Sequence, residues 1–221
     1  MKKILSGVKK FSSNISCEEK SSLRLAMVYF RHGRRTPILK KIEVAEAEWP
    51  LEWVENDLPH TMFDYKIKNA NLEPKTLDTS LFDQSYATFG VFKGGAGHGL
   101  LTKFGQEDAF NLGQRLRKRY IDGEKLVPSY YSADHVKLYT TFIKRTVKSM
   151  RCVLAGMFDK EGSHVADIYS RPVDFEYYFP NFEYCLRYKM ICREALRREK
   201  EASHLAFNRQ KLAEIMGKKR R

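Results

Sequence analysis

"LRLAMVYFRHGRRTP", residues 23–37, joins an apolar run to a cationic block and stops at a proline. Residues 23–30 carry one charge, Arg24, and their length and their Val, Tyr and Phe suit a buried strand. Arg31, His32, Arg34 and Arg35 follow at once, with Gly33 among them. Arginine is almost never fully buried unless paired. The block therefore reads either as a solvated loop or as a site that expects an anion. At the C-terminal end of a strand it would lie on the edge where open α/β sheets bind ligands.

Further along, the same arrangement recurs. Residues 136–141, "VKLYTT", read as a strand. A helix follows from about 143 to 158, with Val147, Met150, Leu154 and Phe158 on one face. Arg145 then falls in the first turn of that helix, again where a strand ends. Between the two units, residues 101–120 predict a helix with Thr102 as N-cap and Ala109, Leu112, Leu116 and Tyr120 on its apolar face. The cations of "RLRKR" near its end suit the negative pole of the helix dipole. Residues 38–100 read as a long irregular excursion holding both tryptophans and three prolines. Its "GGAGHG" segment, residues 94–99, lacks the Lys-Ser/Thr and the preceding strand of a phosphate-cradling loop, and reads as a flexible loop. The order strand, excursion, helix, strand, helix predicts an α/β fold.

Composition narrows the class. Aromatics make up 13% of the 221 residues, enough with the aliphatics for a core, and no apolar run approaches a membrane span. The net charge is +13, but residues 1–20 carry +3 and residues 187–221 carry +8. The middle of the chain is nearly balanced, so a nucleic-acid reading rests on the tails alone and is set aside. Those basic tails do offer contact with a membrane surface. Residues 1–16 are basic and contain serine, with no apolar core of a secretory signal. They read as a mitochondrial leader or as a solvated tail. Cys17, Cys152, Cys185 and Cys192 form no CxxC pair, which argues against a zinc site.

The cationic block has a specific chemical use. Guanidinium forks match phosphate oxygens and stay charged at any relevant pH. A phosphomonoester carries roughly −1.5 to −2 charges near neutral pH. Arg31 and Arg35 would neutralise that charge, with Arg145 adding a third contact. A neutral imidazole nitrogen of His32 can attack phosphorus, provided an acceptor such as a backbone carbonyl fixes its tautomer. Gly33 would leave room for a tight turn.

Arg31-His32-Gly33-x-Arg35-x-Pro37 resembles, at every defined position, the RHGxRxP signature of the histidine acid phosphatases, the second branch of the histidine phosphatase superfamily. The resemblance continues through "LLTKFGQEDAFNLGQRLRKRY" and "VKLYTTFIKRTVKSMRCVLAGMF", with Thr140-Thr141 where the family usually has Ser-Thr. "KTLDTSLFDQSYATFGVFKGG" and "FPNFEYC" look most like the subgroup that acts on lysophosphatidic acid. The resemblance implies a central mixed sheet flanked by helices, with a smaller helical cap. Residues 1–22 would then be a leader or tail, 23–175 the N-terminal part of the α/β domain, and 176–221 the start of the cap. It implies hydrolysis of a phosphomonoester, a lysophospholipid among the candidates, through a phosphohistidine and without metal or other cofactor. His32 would be the nucleophile and Arg31, Arg35 and Arg145 the phosphate clamp. The family's downstream His-Asp or His-Ala-Glu, whose acid protonates the leaving oxygen, has no counterpart: the six histidines precede Gly33, Thr61, Gly99, Val136, Val165 and Leu205. Asp134-His135 has the reverse order and is not a substitute. The expectation is the N-terminal part of a phosphatase; the alternative is a catalytically impaired chain that keeps only phosphate binding.

Overall fold

A computed structural model describes residues 22–38, 47–70, 80–159, 165–172 and 185–201, with 175, 176, 178, 207, 208, 210 and 211. The basic leader expected over 1–22 falls almost wholly outside the described residues. The described strands are β1 (Tyr65–Asn69), β2 (Leu138–Tyr139) and β3 (Ala166–Ser170). They form one parallel sheet in the order β1-β3-β2, with Ile67 opposite Ile168 and Leu138 also opposite Ile168. Among the described residues the longer helices are α1 (Leu81–Ala87), α2 (Lys103–Leu116), α3 (Lys144–Met157) and α4 (Leu186–Glu201). The class is α/β, as the element order predicts.

β3 is the central strand because both of its neighbours are present and its alternate residues Ala166, Ile168 and Ser170 are buried. α3 connects β2 to β3, and its predicted face is the core: Val147, Met150, Leu154 and Phe158 are all buried. Phe63, Ile121 and Tyr131 belong to the same core. α2 begins at the predicted cap, where Thr102 Oγ1 accepts from Gly105 N at 3.1 Å. Past Leu116 the helix widens into a π turn over Arg117–Gly123, with Glu124 N donating to Arg119 O at 2.8 Å.

α2 and α3 cross at backbone contact. A Cβ on Gly113 would overlap Val153 O, and one on Gly156 would overlap Phe110 O. Ala109, Cys152 and Val153 fill the seam beside them. This crossing matters for function because the motif is held against the N-terminal halves of both helices.

Several expectations are corrected. Residues 23–30 do not form a strand: they join no ladder, and Leu25, Met27 and Tyr29 are each 70% exposed or more. Only Phe30 packs on the core. An apolar run shows that a segment gains by burial; a strand also needs a hydrogen-bonding neighbour, and β2 offers just two paired residues, both to β3. For the same reason the strand expected over 136–141 contracts to Leu138–Tyr139. The excursion is not irregular throughout, since it contributes β1 and α1. Nor is "GGAGHG" a loose loop. Trp49 N donates to Lys93 O and Ala96 N to Trp49 O, and Gly94, Gly95 and Gly99 use positive φ to make the turns.

Gly113→Ala tests the crossing. In an unconstrained helix this change stabilises by up to about 1 kcal/mol. Here the overlap with Val153 O makes it destabilising by about 1–3 kcal/mol, the usual cost of overpacking. Urea denaturation gives the sign directly.

Candidate active site

The motif chain runs over the start of α2 at a distance only glycine allows. A Cβ on Gly33 would overlap Gly105 O, and one on Gly105 would overlap Arg34 O. Gly33 is not among the residues with positive φ, so its smallness serves this approach and not the tight turn expected from sequence. Hydrogen bonds fix the contact from both sides. Gly33 N donates to Ser149 Oγ at 3.1 Å, and Ser149 Oγ donates to Arg145 O at 2.8 Å, tying the motif to α3. Thr102 Oγ1 donates to Arg34 O at 3.0 Å, tying it to α2. Further on, Thr36 N donates to Leu100 O and Gly99 N to Pro37 O. The arginine block therefore has a fixed course although no strand leads into it.

That course sorts the arginines. Arg34, at the undefined position of the motif, makes a two-pronged pair with Asp108 of α2 at 2.6 and 2.8 Å and lies largely in solvent. It is spent on that carboxylate. Arg31 is exposed. Arg35 is half-buried; Nη1 donates to Thr36 O at 2.7 Å while Nε is buried without a partner. Arg145 is 8% exposed, with both Nε and Nη1 buried and unpartnered. Unpaired buried donors on a charged group are costly, so three such nitrogens mark a place that an anion would complete. Burial, then the charges of Arg145 and Arg31, push the Arg35 guanidinium below its ordinary value.

His32 stands within the field of these groups. Nδ1 lies 2.8 Å from Gly33 O. A carbonyl oxygen only accepts, so Nδ1 carries the proton and Nε2 keeps its lone pair. Burial is the largest influence on the ring and lowers its pKa below the ordinary 6.5; the bond to Gly33 O opposes this, and the charges of Arg145, Arg35 and Arg31 lower it further. The outcome is a neutral imidazole at neutral pH with a free Nε2. A hollow of about 270 Å³ opens beside it, bordered by His32, Arg31, Asp108 and Arg115. Another hollow, about 490 Å³, is lined by Asp122, Lys125 and His135 and lies past the C-terminal end of α2, away from the motif.

The structure thus brings His32, Arg35 and Arg145 together and leaves Arg31 at the border. Sequence reasoning missed Tyr86, on α1: the Arg145 guanidinium carbon sits 5.4 Å from its ring centroid. It also missed Asp108 as the partner of Arg34. Neither had a local signal, because each lies more than 50 residues from the arginine it meets. Among the described residues no group of His, Cys, Asp and Glu is arranged to hold a metal ion.

The sequence profile of the histidine phosphatase superfamily (branch 2) matches residues 22–179. The chain is 37% identical over 166 residues to human lysophosphatidic acid phosphatase type 6, which covers 74% of this chain and 37% of that protein. The bovine protein of the same name is 35% identical over 165 residues, and the mouse protein 34% over 183 residues, or 82% of this chain and 41% of the relative. The chain thus spans about two fifths of the length of these relatives.

The lowered value at His32 has a consequence for stability. Above pH 6.5 the ring is neutral folded or unfolded and contributes nothing. As pH falls below 6.5 the unfolded chain binds a proton that the folded chain resists, so stability drops until the folded-state value is passed. Nitrogen-detected NMR of the imidazoles should show His32 as the Nδ1–H tautomer, titrating below 6.5. His32→Asn should lessen the loss of stability across that window. A His32 that titrates at or above 6.5 contradicts the geometry.

Proposed function

The chain belongs to branch 2 of the histidine phosphatase superfamily, and from that premise we propose that its site binds a phosphomonoester and transfers the phosphoryl group to His32. The observation that carries this reading is the set of unspent buried donors on Arg35 and Arg145 beside a histidine whose Nε2 is free. The phosphoryl oxygens would take the places those donors lack, with Arg31 closing the site from solvent. The His32 Nε2 lone pair then attacks phosphorus as the ester P–O bond breaks, and the leaving oxygen takes a proton from water. A second water attacks phosphorus as the P–N bond breaks, which returns the electron pair to Nε2, releases inorganic phosphate and restores the imidazole. The guanidinium donors hold the charge of the phosphoryl oxygens through both steps. No step calls on a metal.

The relatives' names suggest lysophosphatidic acid as the substrate class. An alkyl phosphate expels a strongly basic alkoxide, and its protonation is the step these 221 residues serve least well, since no His-Asp or His-Ala-Glu occurs among them. The second reading is a chain that binds phosphate and turns it over poorly. The two readings share the clamp and differ in turnover.

Titration calorimetry with inorganic phosphate tests the clamp. Arg35→Ala and Arg145→Ala should each weaken binding by about 1.5–3 kcal/mol, the range for hydrogen bonds to charged groups. Unchanged affinity in folded variants would sink the assignment. Turnover separates the readings. General acid catalysis contributes roughly 10²–10⁴-fold, and an aryl phosphate with an acidic phenol needs little of it. The 221 residues should therefore hydrolyse p-nitrophenyl phosphate far better than lysophosphatidic acid. Equal rates on both would show that some residue of this chain, Asp134 included, protonates the leaving group.

A further inference from the structure

We propose that Tyr86 is a positioning residue for the phosphate clamp: its ring face holds the Arg145 guanidinium in place while leaving that group's buried donors unspent for an anion. The proposal rests on the clamp reading above and adds a residue from outside the motif to it.

A charged group with unused donors in a buried place needs some other interaction to hold it. Among the described residues, Arg145 Nε and Nη1 have no hydrogen-bond acceptor. The guanidinium carbon instead lies 5.4 Å from the Tyr86 ring centroid, within the range for a cation over an aromatic face. Such a contact uses the π system and takes none of the N–H groups. A carboxylate in the same place would neutralise Arg145 and occupy the donors, as Asp108 does for Arg34.

The surroundings are built to keep this pair together. Gly99 passes beneath it: an added Cβ would lie 3.0 Å from Tyr86 Cδ2 and 3.4 Å from Arg145 Nη1, so the approach depends on a residue without a side chain. Gly99 is itself fixed by N–H donation to Pro37 O at the end of the motif. α1, which carries Tyr86, is tied to the start of α3, where Lys144 N donates to Asp83 Oδ2 at 2.9 Å. Tyr86 and Arg145 are therefore presented by two helix ends joined next to them. Behind Tyr86 the rings continue: Phe89 is 6.1 Å away, His98 is 5.6 Å from Phe89, and Phe92 is 4.0 Å from His98. His98 Nδ1 lies 2.8 Å from Ile38 O, so the row of rings is anchored to the residue just past the motif.

The test titrates inorganic phosphate into the full chain. Tyr86→Leu should weaken binding about 5–30-fold, the strength of a largely desolvated cation–aromatic contact, whereas Tyr86→Phe keeps the ring and should stay within about threefold of the parent. In an Arg145→Ala background, Tyr86→Leu should have no further effect, because the contact it removes is already gone. A structural role alone would give equal effects in both backgrounds, whether or not Phe restores binding. If Tyr86→Leu does not fold, Tyr86→Gln carries the same test at this half-buried position. Full binding by Tyr86→Leu or Tyr86→Gln, or equal losses in both backgrounds, overturns the proposal while the clamp stands. Absence of Arg145-dependent phosphate binding in the parent chain overturns the clamp reading and this proposal with it.

Discussion

The contact between Gly33 and Gly105 sets where every group at the site can stand. With two backbones touching, the motif has a single height above α2, and any Cβ on either side would lift it. Ser149 and Thr102 then hold it laterally, each through a hydroxyl that bonds both the motif and a helix terminus. The α2–α3 crossing at Gly113 and Gly156 keeps those two helices close enough for the arrangement to exist. Backbone packing thus comes first, and the side-chain chemistry is laid over it.

Electrostatics follow from that placement. Four arginines gather near one histidine, and a like-charged cluster is tolerable only if its members are exposed, paired or waiting for an anion. All three solutions occur side by side. Arg31 is exposed, Arg34 is paired with Asp108, and Arg35 and Arg145 keep buried donors without acceptors. The same field and the same burial keep His32 neutral, the state in which Nε2 can act as a nucleophile. The features that would hold a phosphate and the features that would attack it are therefore one arrangement.

Much of this was legible in the sequence because it is local. An RHGxRxP segment states its own chemistry, and Arg145 follows from a strand that ends beside a helix start. The face of α3 follows from the 3.6-residue period and the Thr102 cap from its position. Of the face expected for α2, Ala109 is buried and Leu112 and Leu116 pack partly, while the line that α2 buries runs through Gly105, Gln106, Ala109 and Gly113. What was not legible depends on partners far away in the chain. β1 and β3 are five residues each, and their alternation, Tyr65-Ile67 and Ala166-Ile168, is too short to stand out before the pairing is known. Residues 23–30 mislead in the opposite direction, since their composition announces burial that the described residues do not provide. Gly33 was read as a turn because glycine has two uses, and only the neighbour at Gly105 tells them apart. Tyr86 lay among eight aromatics of an excursion that looked irregular.

The central claim is that His32 Nε2 is the nucleophile, and the phosphoenzyme tests it most directly. During turnover of an aryl phosphate, quenching at high pH should preserve an acid-labile phosphohistidine for mass-spectrometric mapping. The account predicts the phosphoryl group on His32, attached through Nε2, because Nδ1 is occupied by its bond to Gly33 O. Phosphate on Nδ1, on another residue, or nowhere while turnover proceeds would contradict it.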